Sequence, residues 1–209
     1  MQADLPPPEW TGKPVHLAVD STGLKVSGEG EWKVRKHGAD KRRQWRKVHL
    51  AVDTDTGIIH AVQTTGNEIA DGTVLPDLLG QVSEPMACVL GDGSYDWRSC
   101  YAAIAHCGAK AIIPPRRGAV IWQHGNCHAK PLDRDAALRH IRKHGRAAWK
   151  WDSGYHRRSL AETGMFRLKG LFGSGLSAKS EASQAVEVMV RCAALNTMTR
   201  LGMPKIHYQ

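Results

Sequence analysis

No run of apolar residues in this 209-residue chain approaches the ~20 that a membrane-crossing helix needs. The opening stretch, MQADLPPPEW, also lacks the basic-then-apolar layout of a secretory signal. The expectation is a cytoplasmic protein with no membrane partner. A CxxC pair is missing too. Cys88, Cys100, Cys107, Cys127 and Cys192 form an odd, irregularly spaced set, which fits reduced thiols better than a disulfide framework. His124, Cys127 and His128, with His106 and Cys107, supply material for a zinc site, but without paired cysteines they read as loop residues. Acidic residues are scarce: 20 Asp and Glu stand against 29 Lys and Arg, giving a net charge of +9. Such a balance favours a polyanionic partner, because cations that neutralise phosphates release counterions. Composition alone does not separate nucleic acid from a merely basic surface.

The chain is otherwise ordinary, with 42% hydrophobic and 23% charged residues, and reads as one well-cored domain. No linker or low-complexity segment interrupts it. The basic charge is concentrated between Lys33 and Lys47, where KVRKHGADKRRQWRK carries eight Lys and Arg and one acid, Asp40. Lys33, Arg35, Lys36, Lys41, Arg42, Arg43, Arg46 and Lys47 could hold phosphates while Trp32 and Trp45 stack on bases or sugars. The same residues also suit a solvated basic loop whose tryptophans pack on the domain body.

Along the chain, DLPPPEW reads as an extended leader, and residues 1–14 are set apart from a domain spanning 15–209. VHLAVDSTGLKV is a buried strand ended or bent at Ser-Thr-Gly, and RKVHLAVDTDTGIIHAVQTT is a hairpin turning at Asp55 and Gly57. NEIADGTVLPDLLGQV has helical rhythm with Asp71 or Thr73 as N-cap. MACVLGDGSYD is a strand, WRSCYAAIAHCG a helix closed by Gly108, and AKAIIPP a strand stopped by prolines. LDRDAALRHIRKHG is a helix capped by Asp133, HRRSLAETGMFRLKGLFG a long amphipathic helix, and SEASQAVEVMVRCAALNTMTRLG a last helix burying Ala185, Val188, Met189, Cys192 and Leu195. The expected fold is α/β: three antiparallel strands, then parallel strands with crossover helices, flanked by further helices.

Two strands end alike, HLAVD at His16–Asp20 and at His49–Asp53. Asp53 precedes a TDTG turn, where Asp usually accepts backbone N–H bonds. Asp20 has other company. Asp92 follows a strand between Gly91 and Gly93, which would let a ligand approach the backbone. Tyr155, Arg158, Glu162 and Lys169, spaced by 3, 4 and 7 residues, fall within one helical face about 60° wide. A carboxylate between cations and a phenol suits a phosphate held beside a metal ligand, whereas alone it suits a surface ion pair. Three hard carboxylates suit Mg²⁺ or Mn²⁺, and with a basic chain they point to phosphoryl transfer on nucleic acid.

AVDSTGLKV, GEGEWKVRKHG, WRKVHLAVD, LGDGSYD, IPPRR and YHRRSLAETGMFRLKGLFG together resemble the DDE transposases of bacterial insertion sequences, specifically the IS5 group of the IS4-like superfamily. The resemblance runs from about Val15 to Met203, and its most specific part is Y-x2-R-x3-E-x6-K at Tyr155, Arg158, Glu162 and Lys169. It implies an RNase H-like fold in which Asp20, Asp92 and Glu162 bind two divalent ions. It also implies DNA cleavage at the element's terminal inverted repeats and strand transfer into target DNA by a homodimer at the bacterial nucleoid. Tyr155, Arg158 and Lys169 would then contact phosphates near the scissile bond. Proteins of this group carry a helical DNA-binding segment well ahead of the first Asp, and only nineteen residues precede Asp20 here. The expectation is therefore a C-terminal catalytic portion. A nuclease of the same fold without strand transfer, and a silent DNA-binding remnant, are the alternatives.

Overall fold

A computed structural model of the protein describes residues 5–6, 12–26, 45–124 and 131–202. Its centre is a mixed sheet in the order β3-β2-β1-β4-β5. Strands β1 (Val15–Val26), β2 (Trp45–Asp53) and β3 (Ile59–Gly66) form the expected antiparallel meander. Strands β4 (Met86–Leu90) and β5 (Lys110–Ile112) continue it in parallel on the other side of β1. Their connection passes through helix α2 (Arg98–His106), as a parallel pair requires.

Side chains alternate across this sheet with the period of two that extended backbone imposes. On one face Leu17, Val19 and Ala51 pack against Leu75, Leu78 and Leu79 of helix α1 (Asp71–Gly80) and Ile104 of α2. On the other face Leu24, Val48, Leu50 and Val52 meet Met165 and Leu168 of α5 (Ser159–Phe172) and Val188 and Cys192 of α6 (Glu181–Leu201). A smaller cluster on this second face joins Leu90 and Ile112 to Ala137 of α3 (Asp133–His144) and Trp149 of α4 (Arg146–Asp152). Leu17, Leu24, Leu50 and Leu168 are fully buried, each contributing about 1.5–3 kcal/mol by leaving water. This mixed sheet with helices on both faces is the RNase H-like architecture expected from the sequence.

Several local expectations need correction. Strand β1 does not stop at Ser21-Thr22-Gly23: it runs on to Val26, where a two-residue strand, β6 (Gly175–Leu176), pairs with its end. The N-cap of α1 is Ala70, and the carboxylate of Asp71 turns to the sheet, accepting from Ser21 Oγ at 3.0 Å and pairing with Lys47 Nζ at 3.1 Å. Asp133 is the first residue of α3, not its cap, and its side chain accepts from the backbone N–H of Ala111 at 2.7 Å, tying α3 to β5. The long helix is shorter than its pattern. Gly154, in the left-handed region at φ +69°, follows α4, and Tyr155–Arg158 forms a 3-10 turn before α5 begins at Ser159. In α6 the buried stripe includes the polar Gln184 and Asn196, while Ala185 faces outward and Met189 is only partly covered. Asn196 is buried because it satisfies both backbone groups of Ile59, each at 2.8 Å.

Candidate active site

Asp20 stands on β1 where the strand outruns its parallel neighbour. The pairing of β1 with β4 ends at Ala18 and Leu90, and β6 joins only at Lys25. Alternation turns Asp20 toward the face that carries α5, while Ser21 turns to α1. Asp92 follows β4 after Gly91 and caps the 3-10 turn Gly93–Tyr95, with its Oδ1 accepting the Ser94 N–H at 2.8 Å. Glu162 comes from the first turn of α5. That helix sits close to the sheet at Gly164, where a Cβ would lie 3.3 Å from Val52 Cγ2.

Arg158 joins the parts. Its Nη1 lies 3.1 Å from Asp20 Oδ2, and its Nη2 donates to Glu162 Oε1. Tyr155 packs on Trp149 with ring centroids 5.5 Å apart, and Arg158 lies 5.9 Å from the Tyr155 ring. Next along the turn, Arg157 pairs with Asp55, whose other oxygen lies 2.8 Å from His16 Nδ1. Lys169, two turns beyond Glu162, forms no ion pair with any acid among the described residues.

The acids act on one another through their charges. Burial pushes the Asp20 carboxyl up from the usual range, and the charges of Asp92 and Glu162 push it further. The Ser21 N–H and the Arg158 guanidinium pull the other way. Burial likewise raises the Tyr155 phenol, with Asp92 and Asp20 adding to the effect and Arg158 opposing it.

The structure thus brings Asp20, Glu162, Arg158 and Tyr155 together, with Asp92 within electrostatic reach. Asp53 stands apart, accepting the N–H groups of Asp55 and Thr56 at 3.3 and 3.1 Å in the β2–β3 turn. Of the basic stretch, Lys33, Arg35, Lys36, Lys41, Arg42 and Arg43, with Trp32, lie outside the described residues, as do Cys127 and His128. Arg46 and Lys47 are turned to internal partners: Arg46 pairs with Glu181 and Gln184, and Lys47 with Asp71 and the Ile69 carbonyl. Trp45 is 38% exposed, beside Gly23 and Lys25. Gly91 does not open the backbone to a ligand as its sequence context suggested: a Cβ there would lie 2.9 Å from the Tyr95 ring, so the space is already filled.

Sequence reasoning missed the support behind Asp92. Asp96, four residues on, accepts from Arg134 Nε at 2.7 Å and from the Arg116 N–H at 2.9 Å. Arg116 also donates from Nε to the Gly93 carbonyl at 3.1 Å. The signal available was the acid closing LGDGSYD, but its partners lie 20 and 38 residues away.

Among the described residues, no three His, Cys, Asp or Glu converge closely enough to share one ion as they stand. The donor chemistry nonetheless fits a hard divalent cation. Asp92 Oδ2 and Glu162 Oε2 accept no hydrogen bond among the described residues, and a guanidinium already stands as the cation between Asp20 and Glu162. No described helix is long and apolar enough to cross a membrane. Residues 11–197 match the family described as the transposase DDE domain, and the chain belongs to that family, whose members act on DNA as phosphoryl transferases using divalent metal ions.

Proposed function

We propose that this chain, as the catalytic portion of an insertion-sequence transposase of the IS5 group, cuts DNA at the element's terminal inverted repeats and transfers the freed 3′ hydroxyl to target DNA. The observation that carries this is the meeting of Asp20 from β1 and Glu162 from α5 on one guanidinium, with Asp92 of the β4 end close enough to raise the Asp20 carboxyl. Asp20, Asp92 and Glu162 would hold two Mg²⁺ or Mn²⁺ ions, which supply Lewis acidity to the attacking and leaving oxygens of a phosphodiester. The group assignment rests on the Tyr155, Arg158, Glu162 and Lys169 spacing.

The side chains themselves divide the remaining work. Arg158 offers planar paired donors suited to a phosphate, and Lys169 offers a point charge further along α5. Tyr155, raised by burial, keeps its proton and would be able to donate it in a hydrogen bond to a phosphate. Trp45, exposed at the edge of the basic stretch, suits stacking on a base. Residues 15–209 form the catalytic domain in this reading and 1–14 a leader, and the protein works as a homodimer on paired DNA ends at the bacterial nucleoid.

The test is incubation with duplex DNA carrying the element's inverted repeats, with and without Mn²⁺, alongside Asp92→Ala. Metal-dependent cleavage that the substitution abolishes supports the reading. Salt-sensitive binding without cleavage, the same in both proteins, sinks it in favour of a silent DNA-binding remnant. Cleavage without joining to a target would instead mark a nuclease of the same fold.

A further inference from the structure

Two neighbouring arginines in the 3-10 turn before α5 are used in different ways. Arg157 pairs with Asp55, whose second oxygen lies 2.8 Å from His16 Nδ1, so this arginine fastens the turn to the β2–β3 turn and to the start of β1. The Tyr155 ring on Trp149 fastens the same turn to α4. The backbone there closes on itself as well, with the Arg157 N–H donating to the Gly154 carbonyl at 3.1 Å. None of these contacts is made by Arg158, whose guanidinium lies 5.9 Å from the Tyr155 ring.

Arg158 instead spans two acids. Its side chain is 19% exposed, against 22% for Asp20 and 54% for Glu162, so both pairs are partly open to solvent. Ion pairs with this much access to water are individually weak. The guanidinium also neutralises carboxylates that repel one another, since Asp92 and Glu162 both act against the charge on Asp20. An arginine in this position competes with any other cation for the same oxygens.

We propose that Arg158 is an exchangeable counter-ion: it occupies Asp20 and Glu162 in the metal-free protein and leaves them when a divalent cation binds, which frees its guanidinium for a DNA phosphate. The turn stays in place during the exchange because Arg157, Tyr155 and the backbone hold it. Metal binding and phosphate binding are thereby coupled through one side chain, and linkage makes the coupling reciprocal. The inference rests on the proposed function, because it takes Asp20 and Glu162 as the metal ligands.

The test is Mn²⁺ binding to the full chain without DNA, read by electron paramagnetic resonance of free Mn²⁺, for wild type, Arg158→Gln, Arg158→Lys and Arg157→Gln. Removing the competing charge tightens Mn²⁺ binding by about fivefold in Arg158→Gln, the scale of one part-exposed ion pair. Arg158→Lys, which keeps the charge, stays within about twofold of wild type on the same scale, as does Arg157→Gln. Unchanged or weaker binding in Arg158→Gln overturns the proposal. So does loss of its folded circular dichroism spectrum, because the separately anchored turn predicts that Arg158 is dispensable for folding. Asp20→Asn separates the two claims. If it weakens Mn²⁺ binding while Arg158→Gln has no effect, the counter-ion fails and the metal site stands. If Mn²⁺ binds to none of the proteins, or Asp20→Asn leaves binding untouched, the proposed metal site fails and the counter-ion with it.

Discussion

Replacing Asp96 by alanine tests how the turn after Asp92 is held. The side chains of Asp96 and Arg134 are 2% and 5% exposed, and their oxygen and nitrogen are 2.7 Å apart. Removing one partner of a buried ion pair costs about 3–5 kcal/mol, because the other charge stays buried without compensation. The backbone N–H of Arg116 also loses its acceptor, adding about 1 kcal/mol. Against this, Arg134 keeps the Val120 carbonyl at 2.7 Å, Asp135 at 3.6 Å and the face of Trp122 at 3.7 Å. The expected loss is therefore about 3–4 kcal/mol, a large share of the ~5–15 kcal/mol typical of a domain. Urea unfolding followed by tryptophan fluorescence would read it as a midpoint lowered by more than ~1 M. Asp96→Asn, which keeps an acceptor and the volume, should lose about half as much. A loss under ~1 kcal/mol for Asp96→Ala at unchanged slope would refute the idea that this pair anchors the turn.

Other consequences concern packing and pH. Gly91→Ala places a methyl 2.9 Å from the Tyr95 ring and should destabilise by about 1–3 kcal/mol in the same assay; a neutral result would mean that the ring moves freely. Asn196→Ala removes both hydrogen bonds to Ile59 on the edge strand β3, and a loss of about 2–3 kcal/mol is expected, with faster amide exchange in β3 than elsewhere in the sheet. Burial lowers His49 from 6.5 to about 4. The unfolded chain therefore binds a proton that the folded one refuses between those values, and stability should fall as pH drops from about 6.5 to about 4. His49→Gln should flatten that part of a pH–stability curve, and an unchanged slope would remove His49 as its source.

The sheet was legible because its signals are local. The apolar, β-branched runs at Val15, Val48 and Ile59, the TDTG turn and the Gly and Pro stops define elements within a few residues of themselves. The turn role of Asp53 was equally readable, since it accepts from N–H groups two and three residues on, although its bond from the His16 N–H across 37 positions needed the fold. What failed depended on distant partners. Asp71 looked like a cap, but Lys47 and Ser21, 24 and 50 positions earlier, draw its carboxylate to the sheet instead. The stripe Tyr155, Arg158, Glu162, Lys169 suggested one continuous helix, yet Gly154 and the anchoring of Arg157 on Asp55 tighten its first turn to 3-10 geometry. The pairing of Arg158 with both Asp20 and Glu162 could be read only halfway: the spacing gave the i to i+4 partner, while the bond across 138 positions needed the fold. Arg46 and Lys47 show the converse, basic residues that composition offered to DNA and the fold turns toward Glu181 and Asp71.

The central claim is that Asp20, Asp92 and Glu162 act as one metal-dependent unit on DNA. Its most direct test is the Mn²⁺-dependent cleavage rate on inverted-repeat DNA for Asp20→Asn, Asp92→Asn, Glu162→Gln and the pairwise combinations, each checked for folding by circular dichroism. Groups that act as a unit give non-additive losses. Each single substitution should lower the rate by about a thousandfold or more, and each double should fall no further than the worse of its singles. A folded single variant that keeps more than about a tenth of the rate, or doubles whose losses multiply, would contradict the claim.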